Sequence, residues 1–139
     1  MVKKDKQSAN KWNILIAEDD LKSRADLLKA LGTIANCTSV DDGEKALKIY
    51  RQSLKKKKPF DFILLDVTIP TLSGFDILKA IRTEEEAREN AAKNSRIIMI
   101  TAYKDSLMKL YNMGWDDYIS KPIDAHKLIQ RMRAIVSKK

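Results

Sequence analysis

The sequence holds one cysteine, Cys37, and one histidine, His126, in 139 residues. A single cysteine excludes an internal disulfide and fits a reducing, cytoplasmic setting. Cys37 itself reads as a small core residue of a strand. The lone His126 falls in what reads as the last helix, where a surface role is expected rather than that of a base or a metal ligand. No apolar run approaches the ~20 residues that cross a bilayer, and no apolar signal core follows the lysine-rich N-terminus. Neither a membrane nor secretion is therefore expected. No internal repeat is present.

The remaining composition describes a soluble globule, 44% hydrophobic and 33% charged. A chain of this length forms one domain and buries roughly 70% of its unfolded surface. The formal net charge of +8 suggests nucleic acid until it is mapped. Lys3, Lys4, Lys6 and Lys11, offset by Asp5, contribute +3, and Lys55 to Lys58 contribute +4. Both stretches read as solvated segments. No aromatic residue interleaves with the lysine run, as a stacking platform for single strands would require. Residues 1–11 are polar and aperiodic and are expected to form a disordered or appended basic arm. Residues 12–139 are expected to form the domain.

Within that domain, apolar runs alternate with helical periodicity. Asn13 to Ala17 is a strand that ends in Glu18-Asp19-Asp20, with Trp12 packing at its start. Leu21, Leu27, Leu28 and Leu31 mark a helix, for which Gly32 is the expected stop. Ala35 to Val40 is a short strand, and Asp41-Asp42-Gly43 a turn. Glu44 to Leu54 is a helix closed by the lysine run and Pro59. Phe60 to Asp66 is a strand whose apolar run predicts burial on both faces. Phe75 to Ile81 is helical and grades into a polar stretch around Glu84 to Glu89. Arg96 to Thr101 is a strand, Asp105 to Met113 a short helix, and Tyr118 to Ser120 a last strand leading to Lys121-Pro122. Asp124 caps a final helix through Val136. Five strand–helix alternations predict an α/β, doubly wound parallel sheet with helices on both faces.

In such a sheet the strands' carboxyl ends share one edge, which is where open α/β folds bind ligands. The first strand brings Glu18 and Asp19 there, the third Asp66, the fourth Thr101 and the fifth Lys121. If the first and third strands are neighbours, three carboxylates converge, and each raises the pKa of the others. A hard divalent cation, Mg2+ or Mn2+, and the ammonium of Lys121 are the available compensations. Asp66 could then attack phosphorus and form an acyl phosphate, with Lys121 and the Thr101 hydroxyl holding phosphoryl oxygens. Taken singly, each of these residues reads as a cap, a β-former or a surface charge, and Asp20 reads as a helix cap. Their joint placement at the strand ends points to the chemistry.

The motifs Ile14-Leu15-Ile16-Ala17-Glu18-Asp19-Asp20, Leu64-Leu65-Asp66-Val67-Thr68-Ile69-Pro70, Gly74-Phe75, Ile100-Thr101-Ala102 and Asp117-Tyr118-Ile119-Ser120-Lys121-Pro122 carry a family likeness. From about Trp12 to Val136 the chain resembles the receiver domain of two-component response regulators, of the chemotaxis type. The resemblance implies a flavodoxin-like sheet in order 2-1-3-4-5 and phosphorylation of Asp66 by a histidine kinase or phosphotransfer protein. It implies Asp19, Asp66 and the backbone carbonyl of Thr68 as direct Mg2+ ligands, with Glu18 acting through water. Lys121 would contact the phosphoryl group, with a cis Lys121-Pro122 peptide, and Thr101 and Tyr118 would form a switch pair. Signal output would use a face near Lys104, Met108, Tyr111, Tyr118 and Lys127.

The sequence departs from the family pattern at several positions. Thr68 and Tyr103 occupy the places that tune phosphoryl hydrolysis, and bulky Tyr103 is expected to slow water attack. Trp115 stands where alanine is usual and is expected to pack, and Ser73 replaces an Asp or Asn with little expected consequence. Three rival functions are weaker. A phosphohydrolase usually needs an acid where Thr68 stands. A nucleic-acid binder needs a DNA-reading module, which is not recognisable here, so direct nucleic-acid binding is not expected. A receiver that signals without phosphate would not need the full set of acids, threonine and lysine. The expected role is a signalling module that catalyses only its own phosphorylation and dephosphorylation. Its output is a downstream protein target or an output domain, or a phosphorylation-dependent homodimer.

Overall fold

The computed structural model describes residues 11–88, 94–102 and 114–137. Residues 1–10 of the expected arm, the expected helix Asp105 to Met113, and Tyr103, Lys104, Met108 and Tyr111 lie outside the described residues. Five strands, β1 (Trp12–Ala17), β2 (Ala35–Val40), β3 (Phe62–Asp66), β4 (Arg96–Thr101) and β5 (Asp117–Ser120), form one parallel sheet. Its order is β2-β1-β3-β4-β5. Four described helices accompany it: α1 (Leu21–Leu31), α2 (Gly43–Lys55), α3 (Gly74–Glu86) and α4 (Ala125–Ser137).

Side chains alternate across a pleated strand, and here they divide the core into two layers. Leu15, Ala17, Ile63, Leu65, Ile97 and Met99 face α2 and α3, packing with Ala46, Tyr50, Ile77, Leu78 and Ile81. Ile14, Ile16, Phe62, Leu64, Ile98 and Ile100 face α1 and α4, packing with Leu27, Leu31, Leu128 and Met132. Every residue of β3 is buried, because β3 lies mid-sheet with a layer of helices on each side. That geometry explains its uninterrupted apolar run. Trp12 meets Phe62 edge-on with ring centroids 5.0 Å apart, and Cys37 is half-buried on β2 against the second layer. Trp115 packs against the first layer and edge-on to Tyr118, centroids 5.6 Å apart. His126 is exposed.

Capping residues set the helix starts. Asp20 accepts from the Ser23 amide at 2.8 Å, Asp42 from the Glu44 and Lys45 amides, and Asp124 from the Lys127 amide at 3.1 Å. Ser73 forms a capping box with Asp76 at the start of α3, so its place in the turn has a structural consequence that the sequence reading did not assign. The polar stretch after Ile81 is helical through Glu86. There Arg82 donates to Glu85, to the Ser95 and Gly114 carbonyls and to Asp116, tying α3 to the starts of β4 and β5.

Candidate functional site

Strand register assembles the site. Ala17 pairs with Leu65, so the next residues, Glu18 and Asp66, leave neighbouring strands side by side where strand order reverses. Asp66 pairs with Ile100, and Thr101 with Ser120. Thr101 and Lys121 therefore stand one step beyond, and the Lys121 amide donates to the Thr101 carbonyl at 2.9 Å. The loop after β3 turns back at once: the Gly74 amide donates to the Val67 carbonyl at 3.0 Å. A Cβ on Gly74 would lie 2.4 Å from the Asp66 carbonyl oxygen, a close approach that only glycine permits.

Two carboxylates share one ammonium. Lys121 Nζ lies 3.0 Å from Asp66 Oδ2 and 2.9 Å from Glu18 Oε1. Asp66, only 2% exposed, also accepts at Oδ1 from the Thr68 amide (3.1 Å) and hydroxyl (3.4 Å). Glu18 is fully buried. Its Oε2 accepts from the Asp20 amide at 3.1 Å, whereas Oε1 touches the ammonium without any hydrogen-bond donor aligned on it. Burial, then the adjoining Asp66 carboxyl, push the Glu18 carboxyl up to about 7 against the pull of Lys121. For Lys121, burial works against the charge, but the close Glu18 and Asp66 carboxylates outweigh it and lift the ammonium above the ordinary lysine range. Asp19 is exposed, and Glu18, Asp19 and Asp66 each offer a carboxylate oxygen within 4.8 Å of the others.

These oxygens fit a hard divalent cation. Three converging carboxylates, one with a buried oxygen lacking a hydrogen bond, form an all-oxygen donor set of the kind Mg2+ takes. The structure thus brings together Glu18, Asp19, Asp66, Thr101 and Lys121 on one edge. Thr101 is 2% exposed, Thr68 is exposed beside Asp66, and the Lys121-Pro122 peptide is cis. Tyr118 is half-buried near the start of β5, and its carbonyl and ring both meet Arg131 of α4, the guanidinium carbon 5.9 Å from the ring centroid. Arg131 also pairs with Asp117 at 2.8 Å. Sequence reasoning missed Arg131. Nothing in a helix of mixed charge marks which basic residue returns to the sheet.

Comparison with known proteins bears on the same edge. The family description "Response regulator receiver domain" matches residues 14–133. Sensory transduction protein RegX3 of Mycolicibacterium smegmatis is 35% identical over 130 residues, covering 89% of this chain and 50% of that protein. The fold superposes on a CheX-CheY-BeF3-Mg2+ complex from Borrelia burgdorferi with a TM-score of 0.77 at 26% identity, covering 91% of this chain and 90% of that one. It also superposes on the receiver domain of the sensor histidine kinase PA1611 from Pseudomonas aeruginosa, whose active-site cleft coordinates magnesium. There the TM-score is 0.71 at 28% identity, covering 91% and 99% of the two chains. The chain spans half or less of the length of the curated relatives it matches.

Proposed function

The chain belongs to the response regulator receiver domain family, a module of phosphorelay signalling, and we propose from this that Asp66 is its phosphoryl acceptor. The observation that carries the assignment is the position of Asp66: buried at the switch point, with Oδ2 3.0 Å from Lys121 Nζ and Glu18 and Asp19 beside it. In the reaction, a carboxylate oxygen of Asp66 bonds to phosphorus while the phosphorus–nitrogen bond of a donor phosphohistidine breaks. The imidazole leaves and takes a proton from solvent. The donor is a histidine kinase or a phosphotransfer protein.

Glu18, Asp19, Asp66 and the backbone carbonyl of Thr68 are the groups that would hold Mg2+ or Mn2+, Glu18 through water, and the cation would neutralise charge on the phosphoryl oxygens. The chain's own contribution is positional. The Thr68 amide and hydroxyl hold Oδ1 of Asp66 and leave its other oxygen toward the cleft. Lys121 exchanges its carboxylate contacts for a phosphoryl oxygen, and the buried Thr101 hydroxyl takes another. Movement of Thr101 toward the phosphoryl group lets Tyr118 turn inward, which shifts the population of the partner-binding surface. By the family pattern Thr68 and Tyr103 occupy the sequence positions that tune hydrolysis of the phosphoryl group. Replacing Tyr103 with alanine is expected to shorten the phosphorylated lifetime, read by loss of phosphoryl mass over time.

Incubation with Mg2+ and acetyl phosphate followed by intact-mass measurement tests the assignment. One added phosphoryl group is expected on the wild type and none on Asp66→Ala. Equal addition to both would move the acceptor elsewhere.

A further inference from the structure

The lysine run at Lys55 to Lys58 plays no part in phosphoryl transfer, yet its first residue lines a groove. That groove, about 440 Å3, lies between α2 and the loop following β3. Leu47, Lys48, Arg51 and Lys55 recur at helical spacing along one face of α2, as residues three to four apart do. Leu72 of the loop forms the facing wall. Arg51 is fixed there by a two-pronged contact to Glu84 of α3, with Nε and Nη2 within 3.2 Å of the carboxylate oxygens. Lys48 and Lys55 form no ion pair among the described residues, and Lys56, Lys57 and Lys58 extend the positive charge past the end of the helix, all exposed.

We propose that this groove is a docking site for an acidic, amphipathic helical segment of a partner protein. A strip of Leu47 and Leu72 beside the basic side chains of α2, with Glu44 at the helix start and Arg51 already paired to Glu84, matches a helix that presents leucine-like side chains along one stripe and carboxylates on the flank facing Lys48 and Lys55. Charge complementarity would supply on-rate and orientation, and the recessed apolar strip the register. Nucleic acid fits less well, because no aromatic ring lines the groove for base stacking. An anionic bilayer fits less well because the apolar floor is recessed, with Leu47 buried, whereas a membrane-surface helix buries a projecting apolar face.

The groove is joined to the site by its own wall. Leu72 lies six residues beyond Asp66, and the loop between them is latched to the start of α2. The Gly43 amide donates to the Pro70 carbonyl at 3.0 Å, and the Thr71 hydroxyl donates to Asp42 at 2.9 Å and accepts from the Glu44 amide at 3.1 Å. Thr71 holds a positive φ of 73° there, which a β-branched residue rarely adopts.

Fluorescence anisotropy on the unphosphorylated protein tests the proposal independently of phosphoryl transfer. The probe is a labelled helical peptide with leucines at i, i+4 and i+7 and glutamates along one flank. Its comparisons are a scrambled peptide of the same composition, a DNA duplex and phosphatidylserine vesicles. Saturable binding is expected, weakened about tenfold by Lys48→Glu with Lys55→Glu and about threefold by Gln52→Glu, and at least severalfold tighter than for the scrambled peptide. All three positions are exposed, and unchanged circular dichroism confirms that each variant folds. No saturable binding, binding unaffected by the variants, equal binding of the scrambled peptide, or tighter binding of duplex or vesicles would each overturn the proposal.

Discussion

Glu18 and Asp66 are carboxylic groups kept out of water, and they share one ammonium. With Glu18 near 7 in the folded protein and near 4.3 in an unfolded chain, the folded state holds the extra proton between those values. Stability from this group is therefore complete below about pH 4 and is lost as pH rises through 7. Metal-free protein is expected to lose about 1–3 kcal/mol between pH 5 and 8, measured by urea denaturation. Glu18→Gln should flatten that slope. Saturating Mg2+ should raise the melting temperature most at pH 8, where Glu18 is charged, and Asp19→Asn should reduce the gain. Gly74→Ala forces its new Cβ onto the Asp66 carbonyl, so phosphoryl incorporation should slow while Mg2+-free secondary structure persists.

At the scale of elements, the loop that leaves β3 is held at both ends by caps. Ser73 and Asp76 cap one another at the start of α3, and Asp42 caps α2 while accepting from Thr71. Ser73→Ala is expected to cost about 1 kcal/mol, as lost N-caps do. Asp42→Ala should cost more, because it also frees the Thr71 hydroxyl and leaves the Lys45 amide of α2 without its acceptor. Paired urea titrations of the two variants check the order. Ser73 was legible as a turn residue, and its three-residue spacing to Asp76 carries the capping-box pattern, although that pairing was not assigned from the sequence. The cap at Asp20 and the strand ends were legible, because capping and apolar periodicity are local properties.

Across the whole molecule the sheet separates two apolar layers, and its middle strand belongs to both. Ile63 and Leu64 face opposite layers and are fully buried. Truncating either to alanine should cost about 2–5 kcal/mol through lost contacts and the cavity left behind, whereas Thr38→Ala, exposed on the edge strand β2, should change stability by no more than about 0.5 kcal/mol. Chemical denaturation of the three variants separates these outcomes. Among the described residues no helix is long and apolar enough to cross a membrane, in keeping with the scattered apolar positions of α1 to α4.

The order of elements, the α/β class and the residues at the strand ends were determined by the sequence alone, because periodicity and turn chemistry act over a few neighbouring residues. The receiver-family motifs added the strand order. Tertiary structure decided what those residues share. The burial that lifts Glu18, the single ammonium between Glu18 and Asp66, the return of Arg131 to Tyr118 and the groove between α2 and Leu72 all join positions far apart in the chain. Such contacts depend on register and on how helices seat against the sheet, and those are fixed only when distant segments pack together.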